Sequence, residues 1–304
     1  MVHSTEMRGT LGAFKLGTLV ALAVLILIGL ISVATYVLSE RRLNAPIAVP
    51  NSSLVVPTDI AAVQHGQHVS GAVALCTQCH GTSLTGMVVL DDVTARVVAP
   101  NITRGGAVAG FSDADYARAI RDGVGPDGRP LWLMPVGDYI RLSDTDLGSL
   151  IAYLRSLPPV TNTLPANQVR PLGRIQLALG QLQLLPAREV NHTASRPPVP
   201  PPGLTPEYGE YLVAIAGCAR CHGPGLSGAS TAGTAQTAPD ITPSGIGDWS
   251  EADFLRAMRS GRRPDGGAID SAMPWAYYAQ MSDLELRAIW AYLGVIPGRP
   301  AGSG

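Results

Sequence analysis

Lysine is almost missing from this chain of 304 residues: Lys15 is the single one, and the other 21 basic residues are arginines. Any basic docking surface outside a membrane must therefore be built from arginine. The net charge of −1 argues against a nucleic-acid partner. Cysteine is scarce too, with four in the chain, and none of them lies outside two short stretches. Sustained apolar–polar alternation of period two is also missing, which leaves an all-α reading. The chain is 15% charged and 46% apolar, as expected for globular protein with an added apolar segment, and its length allows two domains.

What is present answers the cysteine question. Residues 75–86 read LCTQCHGTSLTG and residues 217–228 read GCARCHGPGLSG. Cys76, Cys79, Cys218 and Cys221 thus fall into two Cys-x-x-Cys-His motifs that share a downstream Gly-x-x-Leu-x-Gly. A structural zinc site wants four thiolates, or two with two spaced histidines, and a thioredoxin-like pair needs no histidine directly after its second cysteine. Cys-x-x-Cys-His has a specific use: two thiols add across the vinyl groups of a haem and the adjacent imidazole becomes the proximal iron ligand. The motifs therefore predict two covalently bound haem c groups, with His80 and His222 on the irons and zinc or disulfides as the bland alternative.

From Leu16 to Ser39 the chain carries 24 residues without a formal charge, enough to cross a bilayer. The run is longer than the core of a usual signal peptide, so an uncleaved anchor is expected, against a cleaved signal with a small-x-small site at Ser32-Val33-Ala34. Basic residues flank both ends, Arg8 and Lys15 before and Arg41 and Arg42 after, and do not fix the orientation. Haem chemistry does, because bacterial c-type haem is attached outside the cytoplasmic membrane. A single-pass protein of the cytoplasmic membrane, with its haem domains on the periplasmic or extracellular side, is the expectation.

The repeat runs well past the haem motifs. APNIT at 99–103 answers APDIT at 238–242, FSDADYARAIRDG at 111–123 answers WSEADFLRAMRSG at 249–261, and MPVGDYIRLSDTDLGSLIAYL at 134–154 answers MPWAYYAQMSDLELRAIWAYL at 273–293. Helix starts are legible as capping boxes at Ser112/Asp115, Ser250/Asp253, Ser143/Asp146 and Ser282/Glu285. In the last helix of each copy Leu147, Leu150, Ile151 and Leu154, and Leu286, Ile289, Trp290 and Leu293, recur at helical spacing and predict one apolar face.

A haem that only moves electrons needs its sixth iron position filled. Met134 lies 54 residues after His80 and Met273 lies 51 after His222; both sit in Met-Pro, with Tyr139 and Tyr278 five residues on. These methionines are the predicted distal ligands. Met87 is too close to His80, and Met258 and Met281 read as packing residues. His65 and His68 read as positions on an N-terminal helix, and His192, in a Pro-rich stretch, as solvated.

The expected organisation is a membrane anchor over 1–42, a first cytochrome c domain over 58–160, an interdomain helix and Pro-rich linker over 161–206, and a second domain over 207–297. Residues 43–57, with Pro46, Pro50 and Pro57, read as a short tether. Leu172, Ile175, Leu179 and Leu182 predict a helix whose apolar face packs the two domains together, or else meets a membrane or partner subunit.

The run CHG…NIT…GIGDWSEADFLRAMRSG…DG…MPWAYYAQMSDLELRAIWAYL resembles the cytochrome c subunits of membrane-bound alcohol, gluconate, sorbitol and nicotinate dehydrogenases. The resemblance implies class I cytochrome c domains, with thioethers at Cys76, Cys79, Cys218 and Cys221, proximal ligands His80 and His222, and distal ligands Met134 and Met273. It also implies that the Pro100 and Pro239 carbonyls orient the proximal imidazoles. Members of that family commonly carry three haem domains, whereas this sequence shows two motifs. The functional expectation is a dihaem electron carrier in a respiratory or photosynthetic chain. It would take single electrons from a periplasmic dehydrogenase or another membrane redox complex and pass them to an oxidase or a soluble cytochrome. The alternative is a catalytic dihaem enzyme of peroxidase or thiosulfate-oxidising type, which would call for a vacant or unusual sixth position.

Overall fold

The computed structural model describes residues 3–194, 198–230 and 237–298, with side chains from Leu16 onward in the first helix. The side chains of His3, Arg8 and Lys15, and Arg196 and Pro197 of the Pro-rich run, lie outside what is described. Helix α1 spans His3–Asn44. Its stretch from Leu16 to Asn44 is long and apolar enough to cross a membrane, and none of its most apolar window is buried against the rest of the chain.

Two similar sets of elements follow. The first contains α2 (Ile60–His68), which widens through Val69–Val73, then α3 (Cys76–His80), a hairpin of β1 (Met87–Asp91) and β2 (Ala95–Ala99), α4 (Asp113–Ala117), α5 (Val136–Tyr139) and α6 (Asp144–Ser156). Strand β3 (Gln168–Val169) and helix α7 (Pro171–Ala178) lie between the sets. The second contains α8 (Pro206–Ile215), α9 (Cys218–His222), short strands β4 (Ala229–Ser230) and β5 (Thr237–Ala238), α10 (Pro243–Ile246), α11 (Glu251–Ser260), α12 (Trp275–Tyr278) and α13 (Asp283–Leu293).

The protein is mainly helical, but the all-α expectation needs correction: β1, β2 and β3 form an antiparallel three-stranded sheet in that order. A tight turn nucleates the hairpin, with Asp92 Oδ1 accepting from the backbone N–H groups of Thr94 and Ala95 and from the Thr94 hydroxyl. The inner strand buries Ala95, Val97, Val98 and Ala99. A strand apolar on consecutive positions shows no period-two signal, which is why composition hid it.

Each set is closed by its first and last long helices crossing at a glycine. A methyl group on Gly66 of α2 would lie 1.9 Å from the Ser149 carbonyl oxygen of α6, and one on Gly209 of α8 would lie 2.0 Å from the Ala288 carbonyl oxygen of α13. Leu147, Leu150, Ile151 and Leu154, and Leu286, Ile289 and Leu293, are buried as their spacing predicts. They join one apolar core with Val73, Leu84, Leu212, Ile215 and Leu226. Met258 and Met281 are buried packing residues, and Met87 sits half-exposed on β1.

A second apolar cluster gathers Leu43 from the end of α1 with Ala95, Val97, Val169, Leu177, Leu184 and Leu185. Three expectations fail here. Residues 43–57 are not a free tether: the Ile47 N–H donates to the Gly128 carbonyl at 2.9 Å, and Ile47 and Val49 pack on Val124, Val136 and Ala187. Helix α7 does not pack the two sets together: Leu172, Ile175 and Leu179 are exposed, while Leu182 and the buried side chain of Leu177 pack against the end of α1 and the sheet. His192 is not solvated: its ring is 8% exposed and lies between Asp122, 3.0 Å from Nδ1, and the Ala187 carbonyl, 2.8 Å from Nε2.

Candidate haem sites

Each Cys-x-x-Cys-His motif forms a single helical turn, α3 or α9, and the chain enters both through a left-handed residue, Leu75 (φ 53°) or Gly217 (φ 73°). It leaves through Gly81 (φ 78°, ψ 161°) and Gly223 (φ 79°, ψ 161°). That region of backbone space is essentially glycine's alone, which explains the glycine after each histidine. The shared Gly-x-x-Leu-x-Gly then folds back under the histidine. Leu84 and Leu226 adopt φ of 57° and 58° with their side chains buried, and the N–H groups of Gly86 and Gly228 donate to the carbonyls of His80 and His222 at 2.8 and 3.0 Å. Left-handed leucines cost about 1–2 kcal/mol each. The burial of a whole leucine side chain, worth roughly 1.5–3 kcal/mol, offsets that strain.

The loop after each motif returns to the imidazole. His80 Nδ1 lies 2.8 Å from the Pro100 carbonyl oxygen and His222 Nδ1 lies 2.8 Å from that of Pro239. A carbonyl only accepts, so Nδ1 carries the proton and the Nε2 lone pair is free for a metal. Burial holds both imidazoles below the ordinary histidine pKa, only partly opposed by these hydrogen bonds, so both stay neutral and able to ligate.

No disulfide joins any of the four cysteines. Burial pushes the Cys76 thiol up to about 11 and the Cys218 thiol up to about 12. They are therefore protonated at neutral pH and poor redox nucleophiles as they stand.

Met134 and Met273 are half-buried against the same apolar core that includes Cys76 and contacts Cys218. Each Met-Pro turn leads into a short helix, with the N–H of Val136 donating to the Met134 carbonyl and that of Trp275 to the Met273 carbonyl, both at 2.8 Å. The tyrosine five residues on locks this loop to the cysteine turn. Tyr139 donates its hydroxyl to the Ala74 carbonyl, and Tyr278 donates to that of Ala216 at 2.7 Å, in each case two residues before the first cysteine. Each methionine loop is thus tied to the residue two positions before its first cysteine, and Cys76, Cys218, Met134 and Met273 all border one apolar core.

The donor set fits covalent haem: per motif, two thiols one helical turn apart, one oriented neutral imidazole and one apolar-lodged thioether. Beside the second motif, the buried Ser227 hydroxyl has no hydrogen-bond partner within the described protein.

A second layer of contacts, illegible from the repeat, joins the two sets. Arg220, inside the second motif, pairs with Asp138 of α5, with Nε 2.6 Å from Oδ2. Burial lifts the Asp138 carboxyl to about 6 against the pull of that guanidinium. Tyr211 of α8 donates its hydroxyl to Asp146 of α6, and at the equivalent positions His68 Nε2 of α2 lies 2.8 Å from Glu285 of α13. Asp138 and Arg220 answer Tyr277 and Gln78 in the other copy, so comparing the repeats could not flag them. Gly66 and Gly209 could have been found, since both copies hold glycine at that helix position.

Residues 205–293 match the family described as cytochrome C oxidase, cbb3-type, subunit III. The chain is 28% identical over 280 residues to a nicotinate dehydrogenase subunit of Pseudomonas putida, covering 84% of this chain and 23% of that protein. It is also 28% identical over 280 residues to the alcohol dehydrogenase (quinone) cytochrome c subunit of Gluconacetobacter polyoxogenes, covering 81% of this chain and 58% of that one. To a diheme cytochrome c-type protein of Cereibacter sphaeroides it is 29% identical over 255 residues, covering 73% of this chain and 82% of the relative. The chain thus spans well under two thirds of the length of the dehydrogenase subunits it matches. Residues 205–293 thus match a cytochrome c-type family, and the chain as a whole is similar to cytochrome c subunits of dehydrogenases and to a diheme cytochrome c.

Proposed function

We propose that the chain is a membrane-anchored dihaem cytochrome c, with cytochrome c domains over 58–160 and 207–297 joined by the segment 161–206. In this reading α1 holds it in the cytoplasmic membrane with both domains on the outer side. Single electrons arrive from a periplasmic dehydrogenase and leave to an oxidase or a soluble cytochrome. The observation that carries it is the duplicated arrangement in which a buried, neutral histidine directly after a Cys-x-x-Cys turn points Nδ1 at a proline carbonyl 2.8 Å away, at His80 and again at His222. The names of the similar dehydrogenase subunits support the donor class.

Cys76 with Cys79, and Cys218 with Cys221, are the thioether positions. His80 and His222 would ligate iron through Nε2, and Met134 and Met273 would supply the remaining iron ligands. Bound haem would supply a one-electron couple, whose potential thioether ligation raises relative to ligation by two imidazoles. The chain's own work is orientation and exclusion of water. The Pro100 and Pro239 carbonyls fix the rings, Tyr139 and Tyr278 fix the methionine loops, and Leu84 and Leu226 close the core beneath.

The test is the mass and redox titration of the detergent-purified full chain. Two haem additions resistant to acid acetone and two one-electron waves are expected. One addition, or pigment extracted by acid acetone, overturns the dihaem assignment.

A further inference from the structure

The last turns of α1 are fastened to α7. Arg174 of α7 donates to the Ser39 hydroxyl at 2.9 Å, pairs with Glu40 at 2.8 Å and lies over the Tyr36 ring, 4.4 Å from its centre. One turn further, Arg42 of α1 donates to the Leu177 carbonyl at 2.7 Å and approaches Gly180. Helix α7 therefore runs alongside α1, its amino-terminal half at the level of Tyr36–Glu40 and its carboxyl end at the level of Arg42. A hydrocarbon core of about 30 Å takes about 20 helical residues. Within the uncharged run Leu16–Ser39 that places its outer boundary close to Tyr36, a residue type suited to that depth.

Helix α7 is apolar on its free side. Leu172, Ile175 and Leu179, spaced by three and four residues, are 45%, 48% and 65% exposed. Beside its first turn stands the tip of the β1–β2 hairpin: the Arg170 N–H donates to the Thr94 carbonyl at 2.8 Å, and Gly173 sits against the same carbonyl. At that tip Val93 is 72% exposed. Around the same level Arg129 and Trp132 line a groove with Glu40, Leu43 and Asn44 of α1. An apolar helix face and a valine tip, ringed by arginine, tyrosine and tryptophan at the height where the span ends, match the chemistry of a bilayer's interfacial zone.

We propose that α7 and the β1–β2 tip form a second membrane contact, in which Val93, Leu172 and Ile175 insert among the lipids at the outer face of the bilayer. The proposal rests on the reading of α1 as a membrane span. With α7 fixed to α1 by Arg174 and Arg42, the contact sets the tilt of the first haem region over the membrane instead of leaving it on a flexible stalk.

The test uses the full chain in vesicles of phosphatidylcholine and phosphatidylglycerol, with a nitroxide on a single added cysteine at V93C, L172C, L25C or L204C. The chain without an added cysteine gives the background. Collision with oxygen, which concentrates in lipid, is compared with collision with a water-soluble nickel chelate. The oxygen-to-nickel ratio at positions 93 and 172 is expected to exceed that at Leu204, exposed on the chain after the Pro-rich run, by several-fold, and to approach that at Leu25. A lipid-like ratio at position 25 with water-like ratios at 93 and 172 overturns the second contact while the span stands. Shielding of 93 and 172 from both reagents also overturns it, because a protein would then cover the face. A water-like ratio at position 25 removes the span and the contact with it.

Discussion

Tyr211 of α8 donates its hydroxyl to Asp146 of α6, and in doing so takes over half of a helix cap. The sequence predicts a reciprocal box between Ser143 and Asp146. The structure keeps only the Ser143 side of it, accepting from the Asp146 N–H at 2.8 Å. The Asp146 carboxylate turns instead to Tyr211 and to His65, 2.6 Å away, and the Ser143 N–H is given to the Tyr211 oxygen at 3.1 Å. The boxes at Ser112, Ser250 and Ser282 form in full. A tertiary partner from the other repeat outcompetes a local one at Asp146, and a helix cap becomes part of the seam.

The seam is expected to be tightest in a definite pH window. The hydrogen bond to Asp146 raises the His65 pKa, outweighing burial, so its contribution is whole below about pH 6.5 and is lost as pH rises through the raised value. Burial would raise the Asp146 and Glu285 carboxyls, but hydrogen bonds from His65, Tyr211 and His68 hold both down. Their contributions are present above their ordinary values and are lost as pH falls through the lowered ones. Stability conferred by the seam should therefore peak between about pH 5 and 6.5. Unfolding midpoints from pH 4 to 9 check it: H65Q should flatten the alkaline limb and also soften the acid limb by removing a partner of Asp146, and an unchanged alkaline limb would sink the assignment.

Gly217 and Leu75 occupy matched positions with similar left-handed backbones, so backbone strain alone does not demand glycine at 217. Asp138 and Arg220 do, because a methyl group there would meet the Asp138 Oδ2 at 2.5 Å and the Arg220 Nε at 2.6 Å. G217A is expected to cost about 1–3 kcal/mol. The same change made on a D138A background should cost appreciably less, since Arg220 is then free to swing into solvent. A double-mutant cycle in denaturant reads the coupling, and additive effects would mean the crowding lies elsewhere.

At Gly66 and Gly209 the obstruction is backbone, not a movable side chain. G66A and G209A should each force their helix pair apart and destabilise by about 1–3 kcal/mol or more. Urea melts measure the loss. A neutral G66A would show that α2 and α6 cross less closely than the structure has them.

What the sequence reveals and what it conceals divide along a physical line. Features written locally and written twice were legible: the Cys-x-x-Cys-His turns, the Met-Pro loops, the apolar stripes of α6 and α13, and three of four capping boxes. Features made by residues distant in sequence, or present in one copy, were not. The continuously apolar strand β2 lacks a period, His192 looks solvated until Asp122 is folded against it, and the Asp138–Arg220 pair has no counterpart in the other repeat. The Pro-rich segment over 43–57 reads as a spacer, but Ile47 and Val49 bury themselves because apolar positions among prolines still seek a surface.

Replacing either methionine with histidine tests the ligand assignment residue by residue. M134H and M273H should each lower the potential of one haem and leave the other nearly unchanged, because imidazole favours ferric iron more than a thioether does. Potentiometric titration separates the two waves. Two unmoved waves would place the sixth ligand on another side chain.

Electron entry is expected to depend only weakly on ionic strength. Beyond residue 42 the chain has 18 arginines, no lysine and 21 carboxylates, a balance of −3. Among the described residues, twelve of those arginines sit in ion pairs, such as Arg96 with Asp91, Arg155 with Asp113 and Arg287 with Glu251. Paired charges leave little net field to steer a partner, and salt at about 0.15 M already screens what remains beyond about 8 Å. A chain held at the membrane meets a membrane-bound donor at high local concentration, so long-range attraction adds little to its encounter rate. Reduction by the native donor between about 20 and 300 mM salt should change less than severalfold. A tenfold fall would show that transient charged docking governs entry, through an arginine face stronger than this balance implies.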